Sequence, residues 1–378
     1  MSTKVRVGVI FGGRSGEHEI SLRSARAVLV ALDRERYEII PIGIDQTGRW
    51  LSSAETLALL PPAQAHEFSE QARGDRESVA LIGDPSQPGL TIFNGGEAKV
   101  KSLPLDVVFP ILHGTFGEDG TIQGLFELAK IPYIGCGVLA SSCGMDKVTM
   151  KALFREAGLP ICRHTWLARS EWERDAEAAL IRVEAELGYP CFVKPANLGS
   201  SVGISRAANR DELRSSIELA ARYDRRIMIE EAVNAREIEC AILGNDEPQA
   251  SLPGEYVLRD ERAAFLDYTE KYADTGRVEF VVPAPLTKEQ TARIRELAVK
   301  TFRVIDGAGL ARVDFFLTRE TNQLYVNEVN TMPGLTDVSG YPKMWAGTGK
   351  PFSAVLDELI ELAFARAKDK SRNLTSRV

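Results

Sequence analysis

Four polar residues near the end of the chain lie in two segments that otherwise resemble buried strands. The segments are ARVDFFL and LYVNEVNTMPG, and the polar residues are Arg312, Asp314, Glu328 and Asn330. Residues two apart in a strand share a face of the sheet. A hairpin that turns at the intervening TRETNQ would pair Asp314 with Glu328. The same hairpin would pair Arg312 with Asn330.

This pairing predicts a magnesium site. Two neighbouring carboxylates raise each other's pKa unless a cation lies between them. Oxygen ligands from Asp, Glu and Asn suit Mg²⁺. The alternative is a charge network in which Arg312 neutralises the carboxylates without a metal ion.

The elements that must position these residues include a first third that alternates strand, turn and helix. VRVGVIF is followed by the Gly-rich GGRSGEHE, by ISLRSARAVLVAL with helical apolar spacing, and by the strand-like YEIIPIGID. This alternation indicates a parallel sheet covered by helices. Residues 61–100 change character, with Pro61, Pro62 and GDPSQPG, and are interpreted as an excursion to which no function is assigned.

Composition limits the class of protein. With 378 residues the chain is long enough for two or three domains, and its net charge of -7 argues against nucleic acid or an anionic membrane as the main partner. No apolar stretch approaches the roughly 18 residues of a membrane span, and the first apolar run is too short for a signal peptide. A cytoplasmic protein is expected. The five cysteines contain no CxxC pair, which favours free thiols over disulfides or zinc.

A Gly/Ser-rich loop follows the strand that ends in Lys194, within VKPANLGSSVGIS. Gly199, Ser200, Ser201 and Gly203 would let backbone amides and hydroxyls approach a phosphate, and the lysine adds a positive charge. GxxxxGK[ST] is absent, so this is not a Walker A loop. A plain flexible turn remains the alternative.

Two glutamates lie in the segments RIMIEEAV and AREIECAIL. Glu230 and Glu237 could accept hydrogen bonds from an adenine amino group and from ribose hydroxyls. Judged by spacing alone, they could equally be solvated surface glutamates. Lys147, in the first turn of a predicted helix, has the similar alternative of a plain exposed side chain.

Two further polar residues follow buried strands in the first third. Glu17 opens a helix, where the macrodipole stabilises an ionised carboxylate that would suit a substrate ammonium group; the alternative is an N-terminal capping glutamate. GGRSGEHEISL lacks GxGxxG, so it is not a dinucleotide fingerprint. His113 ends LDVVFPILHG at the edge where ligands gather in parallel sheets, or it is a strand-end histidine satisfied by backbone.

A polar loop, FLDYTEKYADTG, contains Lys271 and Tyr272. Loops of this composition between strands often close over an active site and exclude water. The alternative is an ordinary surface loop.

Eight segments, taken in order, resemble the D-alanine:D-alanine ligases of the ATP-grasp superfamily. They are GGRSGEHEISL, HGTFGEDG, MDKVTMK, VKPANLGSSVG, EEAVNAREIECAIL, DYTEKY, ARVDFF and NEVNTMPGLTDVS. The resemblance implies an α/β fold, with an N-terminal parallel-sheet domain (pre-ATP-grasp) followed by a two-lobed ATP-grasp fold. It assigns residues 1–145 to the substrate-binding domain, 146–235 to the central lobe, and 236–378 to the C-terminal lobe with the metal site and the closing loop.

The resemblance also implies roles for individual residues. ATP would be held by Lys147, Lys194, Ser200, Ser201, Glu230, Glu231, Val233, Glu237, Phe265, Lys271, Phe316 and Asn327. Two Mg²⁺ ions, or Mn²⁺ in their place, would be held by Asp314, Glu328 and Asn330. The amino-acid substrates would contact Glu17, His113, Lys271, Gly334, Ser339 and Gly340. The catalytic set would be Glu17, Ser200, Tyr272, Arg312 and Ser339, with Arg312 and the amide of Gly334 as oxyanion donors.

The implied reaction joins two D-alanines through a D-alanyl phosphate to give D-alanyl-D-alanine, ADP and phosphate, for peptidoglycan precursor synthesis. Tyr272 in its EKY context resembles the dipeptide-forming branch rather than the D-alanine:D-lactate branch. The family also implies a homodimer and D-alanine as substrate, while the net charge argues against a nucleic acid or membrane partner.

Gly340 departs from the family pattern. Members commonly carry a bulky apolar residue there, or arginine in the D-serine branch, so the glycine predicts a larger second-substrate pocket. D-Serine and D-lactate therefore remain alternative acceptors. A non-catalytic nucleotide-binding regulator is the alternative of another class, and the intact Asp314, Glu328, Asn330 and Arg312 set argues against it.

Overall fold

The computed structural model describes residues 4–69, 77–87, 89–94, 100–199, 202–258 and 278–374. The strands are β1 (Val5–Gly12), β2 (Tyr37–Ile44), β3 (Glu77–Leu81), β4 (Leu90–Asn94), β5 (Val100–Leu103), β6 (Val107–Ile111), β7 (His164–Ala168), β8 (Cys191–Pro195), β9 (Ser205–Ala207), β10 (Arg226–Glu231), β11 (Ala235–Gly244), β12 (Gln249–Ala250), β13 (Gly254–Leu258), β14 (Val278–Val281), β15 (Gly309–Thr318) and β16 (Leu324–Asn330). The helices are α1 (His18–Ala31), α2 (Ser53–Ala58), α3 (Pro62–Glu67), α4 (Thr121–Ala129), α5 (Val138–Met145), α6 (Lys147–Glu156), α7 (Arg169–Arg174), α8 (Ala176–Glu186), α9 (Arg210–Tyr223), α10 (Lys288–Val304), α11 (Gly340–Gly347) and α12 (Phe352–Lys370).

The predicted N-terminal parallel sheet is present, with the strand order β2-β1-β6. Every residue of β6 is buried, as are the last six of β1, which is typical of parallel strands covered on both faces. Because Phe11 pairs with Ile111, the loops that leave β1 and β6 begin side by side. Gly12 has φ +92 and its backbone packs against the carbonyl of Ile44, so only glycine fits at the start of the first loop.

The excursion predicted within residues 61–100 contains the short helix α3 and strands of a separate antiparallel sheet, with the order β3-β4-β5. This sheet packs beside the parallel one through buried residues such as Leu81 and Leu90. It contributes no residue to the cavity described below.

Two antiparallel sheets follow. The central sheet has the order β7-β10-β8-β9 and packs against α7, α8 and α9. The C-terminal sheet has the order β14-β13-β11-β15-β16, with β12 also paired to β11. Each sheet draws its strands from one of the three predicted ranges, although the limits 1–145, 146–235 and 236–378 themselves remain a prediction.

One apolar core joins the N-terminal sheet to the C-terminal part of the chain. It includes Val28 and Leu29 of α1 together with Leu310 of β15 and Leu356 and Leu359 of α12, all without exposed surface. The central sheet has a core of its own around Val193 and Ile229. The N-terminal and C-terminal sheets are thus packed together more intimately than either is with the central sheet.

Among the helices in the described part of the chain, none is long and apolar enough to cross a membrane. The five cysteines are free thiols.

Candidate active site

The hairpin of β15 and β16 has the predicted register. Arg312 pairs with Asn330 and Asp314 pairs with Glu328. Beyond Asp314 the register shifts, because Phe315 pairs with Val326 and Asn327 is left as the extra residue of a bulge. The bulge lies next to the predicted metal ligands, where it redirects the side chains that follow.

One face of the C-terminal sheet carries the polar residues. Along β15 the residues Ala311, Val313, Phe315 and Leu317 are buried, while the intervening residues are partly accessible. Glu237 pairs with Phe316 and Glu239 pairs with Asp314 on the neighbouring β11, so both glutamates share this accessible face. This face of the sheet therefore presents Glu237 and Phe316 of the predicted ATP set, then the predicted metal ligands, and then Arg312.

Asp314 is already paired in this structure. Arg312 donates from Nε to Asp314 Oδ1 and from Nη2 to Oδ2, both at 2.6 Å, and Asn330 Nδ2 donates to Oδ2 at 3.0 Å. This is the pairing that the charge-network alternative predicted for Asp314. The side chain of Glu328, the strand partner of Asp314, lies with its Oε2 3.9 Å from Lys147 Nζ.

The same residues suit Mg²⁺ chemically. Asp314, Glu328 and Asn330 offer oxygen donors on one face of the two paired strands β15 and β16, and oxygen donors of these types are the ones that Mg²⁺ prefers. An ion at Asp314 would replace part of the hydrogen bonding from Arg312 and Asn330. The assignment of these three residues as metal ligands remains a prediction.

A cavity of about 130 Å³ opens between the three sheets. Of the predicted site residues, the structure brings together in its lining Glu17, His113, Lys147, Arg312, Asp314, Glu328, Asn330 and Gly334. Its walls come from the loops after β1 and β6, from α6, from the Gly/Ser-rich loop and from the hairpin.

Glu17 lies where three of the quoted motifs meet. It occupies the N-cap position of α1, yet its side chain forms no capping hydrogen bond, which argues against the capping alternative. A side-chain carbon on Gly114 would lie 2.6 Å from Glu17 Oε2, and one on Gly199 would lie 2.9 Å from the same oxygen. Glycines from the HGTFGEDG and Gly/Ser-rich loops therefore let both backbones approach this carboxylate.

His113 is buried, and both of its ring nitrogens have partners. Nδ1 lies 3.0 Å from the carbonyl oxygen of Met332, and Nε2 lies 3.0 Å from Ser24 Oγ. Burial lowers the pKa of His113, which favours the neutral ring. Since a carbonyl only accepts, Nδ1 carries the proton and Nε2 accepts from Ser24. The alternative of a satisfied strand-end histidine thus fits the geometry, and a direct contact to a substrate ammonium remains a prediction.

Glu118, which the sequence analysis did not single out, lies beside Glu17 in the cavity. Its Oε2 accepts from the Gly114 N–H at 2.7 Å, and its Oε1 accepts from the Met332 N–H at 3.1 Å. Removal from water and the nearby Glu17 charge raise the pKa of Glu118 to about 8. Glu118 is part of the quoted motif HGTFGEDG, so the position was visible although its partner was not.

Glu230 is buried between two lysines, so the surface alternative is wrong for this residue. Lys151 Nζ lies 2.6 Å from Oε1, and Lys194 Nζ lies 2.7 Å from Oε2. Burial alone would raise the pKa of Glu230, but the two ammonium groups lower it to about 2. The pKa of Lys194 is in turn held above its ordinary value against the effect of burial, mainly by Glu230. This buried cationic cluster of Lys151, Lys194 and Glu230 carries two positive charges and one negative charge, a net charge of +1.

Lys151 is another residue that the sequence analysis missed. It is fully buried and lies four positions after Lys147, on the same face of α6. That i, i+4 spacing in MDKVTMK was the available signal.

Lys147 is also buried, so its exposed alternative is wrong. It starts α6 after the N-cap residue Asp146, whose side chain accepts from the Thr149 N–H. Its Nζ donates to the carbonyl oxygen of Leu198 at 2.6 Å, which ties the helix to the Gly/Ser-rich loop. The ammonium group thereby faces the cavity beside Glu328.

The remaining predicted nucleotide residues lie near the end of β10 and on the C-terminal sheet. Glu231 pairs with Arg163 at 2.7 Å, and Val233 follows in the link to β11. Glu237 and Phe316 face each other across β11 and β15, and Asn327 is the bulge residue. Ser200, Ser201, Phe265, Lys271 and Tyr272 lie outside the described residues.

Gly340 leaves no empty space beside its backbone, and the prediction that it enlarges the second-substrate pocket remains a prediction. A side-chain carbon on Gly340 would lie 2.5 Å from Glu239 Oε2 and 2.8 Å from Phe280 Cζ, so the space is already filled. Glu239 is buried and its Oε1 lies 3.4 Å from Arg312 Nε. The sequence analysis missed Glu239 because it lies 101 positions before Gly340 (340 minus 239) and reaches it across the sheet.

Ser339 and Gly334 belong to one tight loop. Ser339 Oγ lies 2.7 Å from Thr336 Oγ1 and accepts from the Thr336 N–H at 3.2 Å. A side-chain carbon on Gly334 would lie 2.8 Å from Ser339 Oγ, so the two predicted substrate residues are in contact range.

Family models match most of the chain. Residues 6–136 match the model described as D-ala D-ala ligase N-terminus, and residues 153–361 match the model described as D-ala D-ala ligase C-terminus. The D-alanine–D-alanine ligase of Heliobacterium modesticaldum is 49% identical over 375 residues, covering 99% of this chain and 99% of the relative. That of Natranaerobius thermophilus is 47% identical over 372 residues, covering 98% of each.

Solved structures agree. The D-alanine-D-alanine ligase from Coxiella burnetii has a TM-score of 0.81 at 35% identity, covering 98% of this chain and 97% of its own. The D-Ala:D-Ser ligase VanG from Enterococcus faecalis also scores 0.81, at 38% identity, covering 96% of this chain and 100% of its own. These likenesses confirm the predicted parallel-sheet domain followed by an ATP-grasp fold. Taken with the family matches, they establish that this chain belongs to the D-alanine–D-alanine ligase family.

Proposed function

We propose that this chain is an ATP-dependent ligase that joins two D-alanines to give D-alanyl-D-alanine, ADP and phosphate, for peptidoglycan precursor synthesis. The observation that carries the proposal is the composition of the cavity. It combines an anionic group at a helix start, Glu17, with one lysine suited to phosphate, Lys147, and with the Arg312, Asp314 and Glu328 set. Family membership supports the same reaction.

The first substrate is held by charge. Glu17 accepts the ammonium group of the first D-alanine at the start of α1, the end of a helix where its dipole favours a negative charge. Lys147 and Lys194 hold the phosphates of ATP, and the net charge of +1 on the buried cationic cluster favours an anion beside it. Asp314, Glu328 and Asn330 would hold Mg²⁺, which would neutralise phosphate charge in the transition state.

The chemistry then proceeds in two steps. The carboxylate of the first D-alanine attacks the γ-phosphorus of ATP, the bond to the β-phosphate oxygen breaks, and an acyl phosphate and ADP form. The neutral amine of the second D-alanine attacks the acyl carbon, and the developing oxyanion is stabilised by Arg312 and the amide of Gly334. Phosphate leaves and the amine proton is lost, which gives the dipeptide.

D-Serine is the second candidate acceptor, because VanG, a structural relative at 38% identity, is a D-Ala:D-Ser ligase. Gly340 distinguishes this chain from the arginine of that branch, but Glu239 and Phe280 fill the space above it. We favour D-alanine because two relatives named D-alanine–D-alanine ligase are 49% and 47% identical to this chain, whereas VanG is 38% identical.

The deciding experiment mixes purified protein with ATP, MgCl₂ and D-alanine and follows dipeptide by mass and ADP by a coupled assay. We expect one ADP per D-alanyl-D-alanine. Equal D-alanine and D-serine in competition should give mainly the D-alanine product. ATP binding without ADP formation would instead support the non-catalytic regulator. This proposal also includes a homodimer, two bound metal ions, a cytoplasmic location and the three domain limits. Light scattering tests the homodimer.

A further inference from the structure

The loop after β16 carries Gly334, and residues on both sides of it are held by the N-terminal part of the chain. Met332 lies two positions before Gly334, and Leu335 lies one position after it. Both Met332 and Leu335 are buried, and their backbone atoms bond to side chains more than 200 positions away in sequence.

Both polar backbone atoms of Met332 are engaged. Its N–H donates to Glu118 Oε1 at 3.1 Å, and its carbonyl accepts from His113 Nδ1 at 3.0 Å. His113 and Glu118 belong to one short loop, and they hold the two successive peptide groups that flank the Cα of Met332. A residue held at both its donor and its acceptor has little freedom to shift.

Leu335 is held by the same assembly. Its N–H donates to Ser24 Oγ at 3.3 Å, and Ser24 Oγ lies 3.0 Å from His113 Nε2. With His113 neutral, the hydrogen bonds run in one direction, from the Leu335 N–H to Ser24, from Ser24 to His113, and from His113 to the Met332 carbonyl. We call Ser24, His113 and Glu118 the loop clamp.

Glu118 is itself anchored. Its second oxygen accepts from the Gly114 N–H at 2.7 Å, and Gln123 Nε2 donates to the carbonyl of Gly117 at 2.7 Å. A carboxyl group whose two oxygens each accept one backbone N–H has a fixed orientation, which an amide or a shorter side chain cannot reproduce.

We propose that Glu118 and Ser24 are positioning residues for the amide of Gly334, the donor that stabilises the tetrahedral oxyanion. This role rests on the proposed function, because it assigns Glu118 and Ser24 to the same reaction. The loop that contains Glu118 also approaches Glu17 through Gly114. The clamp therefore fixes the oxyanion donor relative to the ammonium site of the first substrate, and both ends of the reacting molecule are positioned by one loop.

The test uses Glu118→Gln and Ser24→Ala in the full-length chain. Each variant removes one acceptor from the backbone on one side of Gly334. A misplacement of about 1 Å costs on the order of 10²-fold in rate, so we expect kcat for dipeptide formation to fall about 10- to 100-fold. The KM for ATP should stay near the wild-type value, since the hydrogen-bond partners of Glu118 and Ser24 include none of the predicted nucleotide residues.

Matched controls separate positioning from stability. Ser21 is a buried serine on the same helix that accepts from the Gly12 N–H at 2.7 Å and donates to the Ile111 carbonyl. Ser21→Ala removes hydrogen bonds in the same surroundings without touching the loop. Glu127 Oε1 accepts from Tyr133 at 2.7 Å and lies away from the cavity, so Glu127→Gln is the control for Glu118→Gln.

A phosphinate analogue of the dipeptide, with tetrahedral phosphorus in place of the attacked carbon, provides the second readout. Its affinity in the presence of ATP should fall in Glu118→Gln and Ser24→Ala by a factor similar to the fall in kcat, because both report binding of the tetrahedral state. The control variants should keep both values.

Three results would overturn the proposal. The first is a kcat within about twofold of wild type in both clamp variants. The second is an equal fall in the controls, which would indicate general destabilisation. The third is a lowered kcat with unchanged phosphinate affinity. If the wild-type chain forms no dipeptide, the proposed function fails first, and the clamp's role falls with it.

Discussion

The buried cationic cluster and the accessible face of the C-terminal sheet are two charged regions that differ in how their charge is arranged. The buried cationic cluster has two lysines around Glu230 and a net charge of +1. The accessible face of the C-terminal sheet has Glu239, Asp314 and Glu328 near Arg312, which is three negative charges and one positive charge, a net charge of -2. The first region attracts phosphate and the second attracts a metal cation, so a nucleotide with Mg²⁺ complements both at once.

The regions also differ in what their own pairing can achieve. In the cationic cluster the side chains of Lys151 and Glu230 are only 1% and 2% exposed, so this ion pair is needed to keep the fold. On the acidic face the charges are 13% to 29% exposed for Arg312, Asp314 and Glu328, so partners can be exchanged. A charged group whose partner can be exchanged is suited to binding, whereas the sealed pair of Lys151 and Glu230 is suited to holding structure.

The largest effect should follow from breaking the cationic cluster. Lys151→Met leaves Glu230 half compensated in a buried site, and we expect the free energy of unfolding to fall by about 3 kcal/mol. The control is Arg163→Met, which removes an exposed pair with Glu231 and should cost less than about 1 kcal/mol. Urea denaturation measures the free energy of unfolding of both variants. Equal losses would contradict the claim that the buried pair stabilises the fold more than the exposed pair.

The next effect should follow from breaking the acidic face. Arg312→Ala should lower kcat by about 10²-fold or more, because an oxyanion donor is lost. Arg236, on the same sheet, makes a similar two-point pair with Glu255, so Arg236→Ala is the matched control and should keep kcat. A near-normal rate in Arg312→Ala would remove it from the reaction.

Crowding the acidic face should have a smaller effect. In Gly340→Ala the new carbon would meet Glu239 and Phe280, and overpacking of this kind costs about 1–3 kcal/mol. Gly124, inside α4, has nothing within 4 Å of its would-be side chain, so Gly124→Ala should stabilise the protein by about 0.5–1 kcal/mol. Thermal unfolding distinguishes the two, and a stabilised Gly340→Ala would show that the space is open.

Stability in acid should depend on Glu230. The pKa of Glu230 in the folded chain, about 2, lies below its ordinary value of 4.5, so its stabilising contribution is complete above pH 4.5 and is lost as the pH falls toward 2. Glu230→Gln should therefore lose less stability than wild type over that range. Denaturation curves at several pH values test this, and parallel curves for the two proteins would contradict it.

Sequence reasoning succeeded where short-range geometry decides the structure. Asp314 and Glu328 could be paired because a strand has a period of two and the turn between them is short. It failed for contacts between distant segments. Lys151 and Glu230, Glu118 and Met332, and Glu239 and Gly340 are brought together by packing between sheets, which the spacing of residues along one chain does not encode. The bulge at Asn327 was likewise invisible to strand periodicity.

The apolar core that α12 shares with α1 has a mechanical consequence. Separating the N-terminal and C-terminal sheets would expose their shared apolar core to water. The free-energy cost would be about 25 cal/mol for each Å² of apolar surface exposed. The central sheet has a separate core, so moving it away from the other two sheets would expose less apolar surface and cost less free energy. We therefore expect the central sheet to be the part that moves when the nucleotide enters, while the N-terminal and C-terminal sheets stay together.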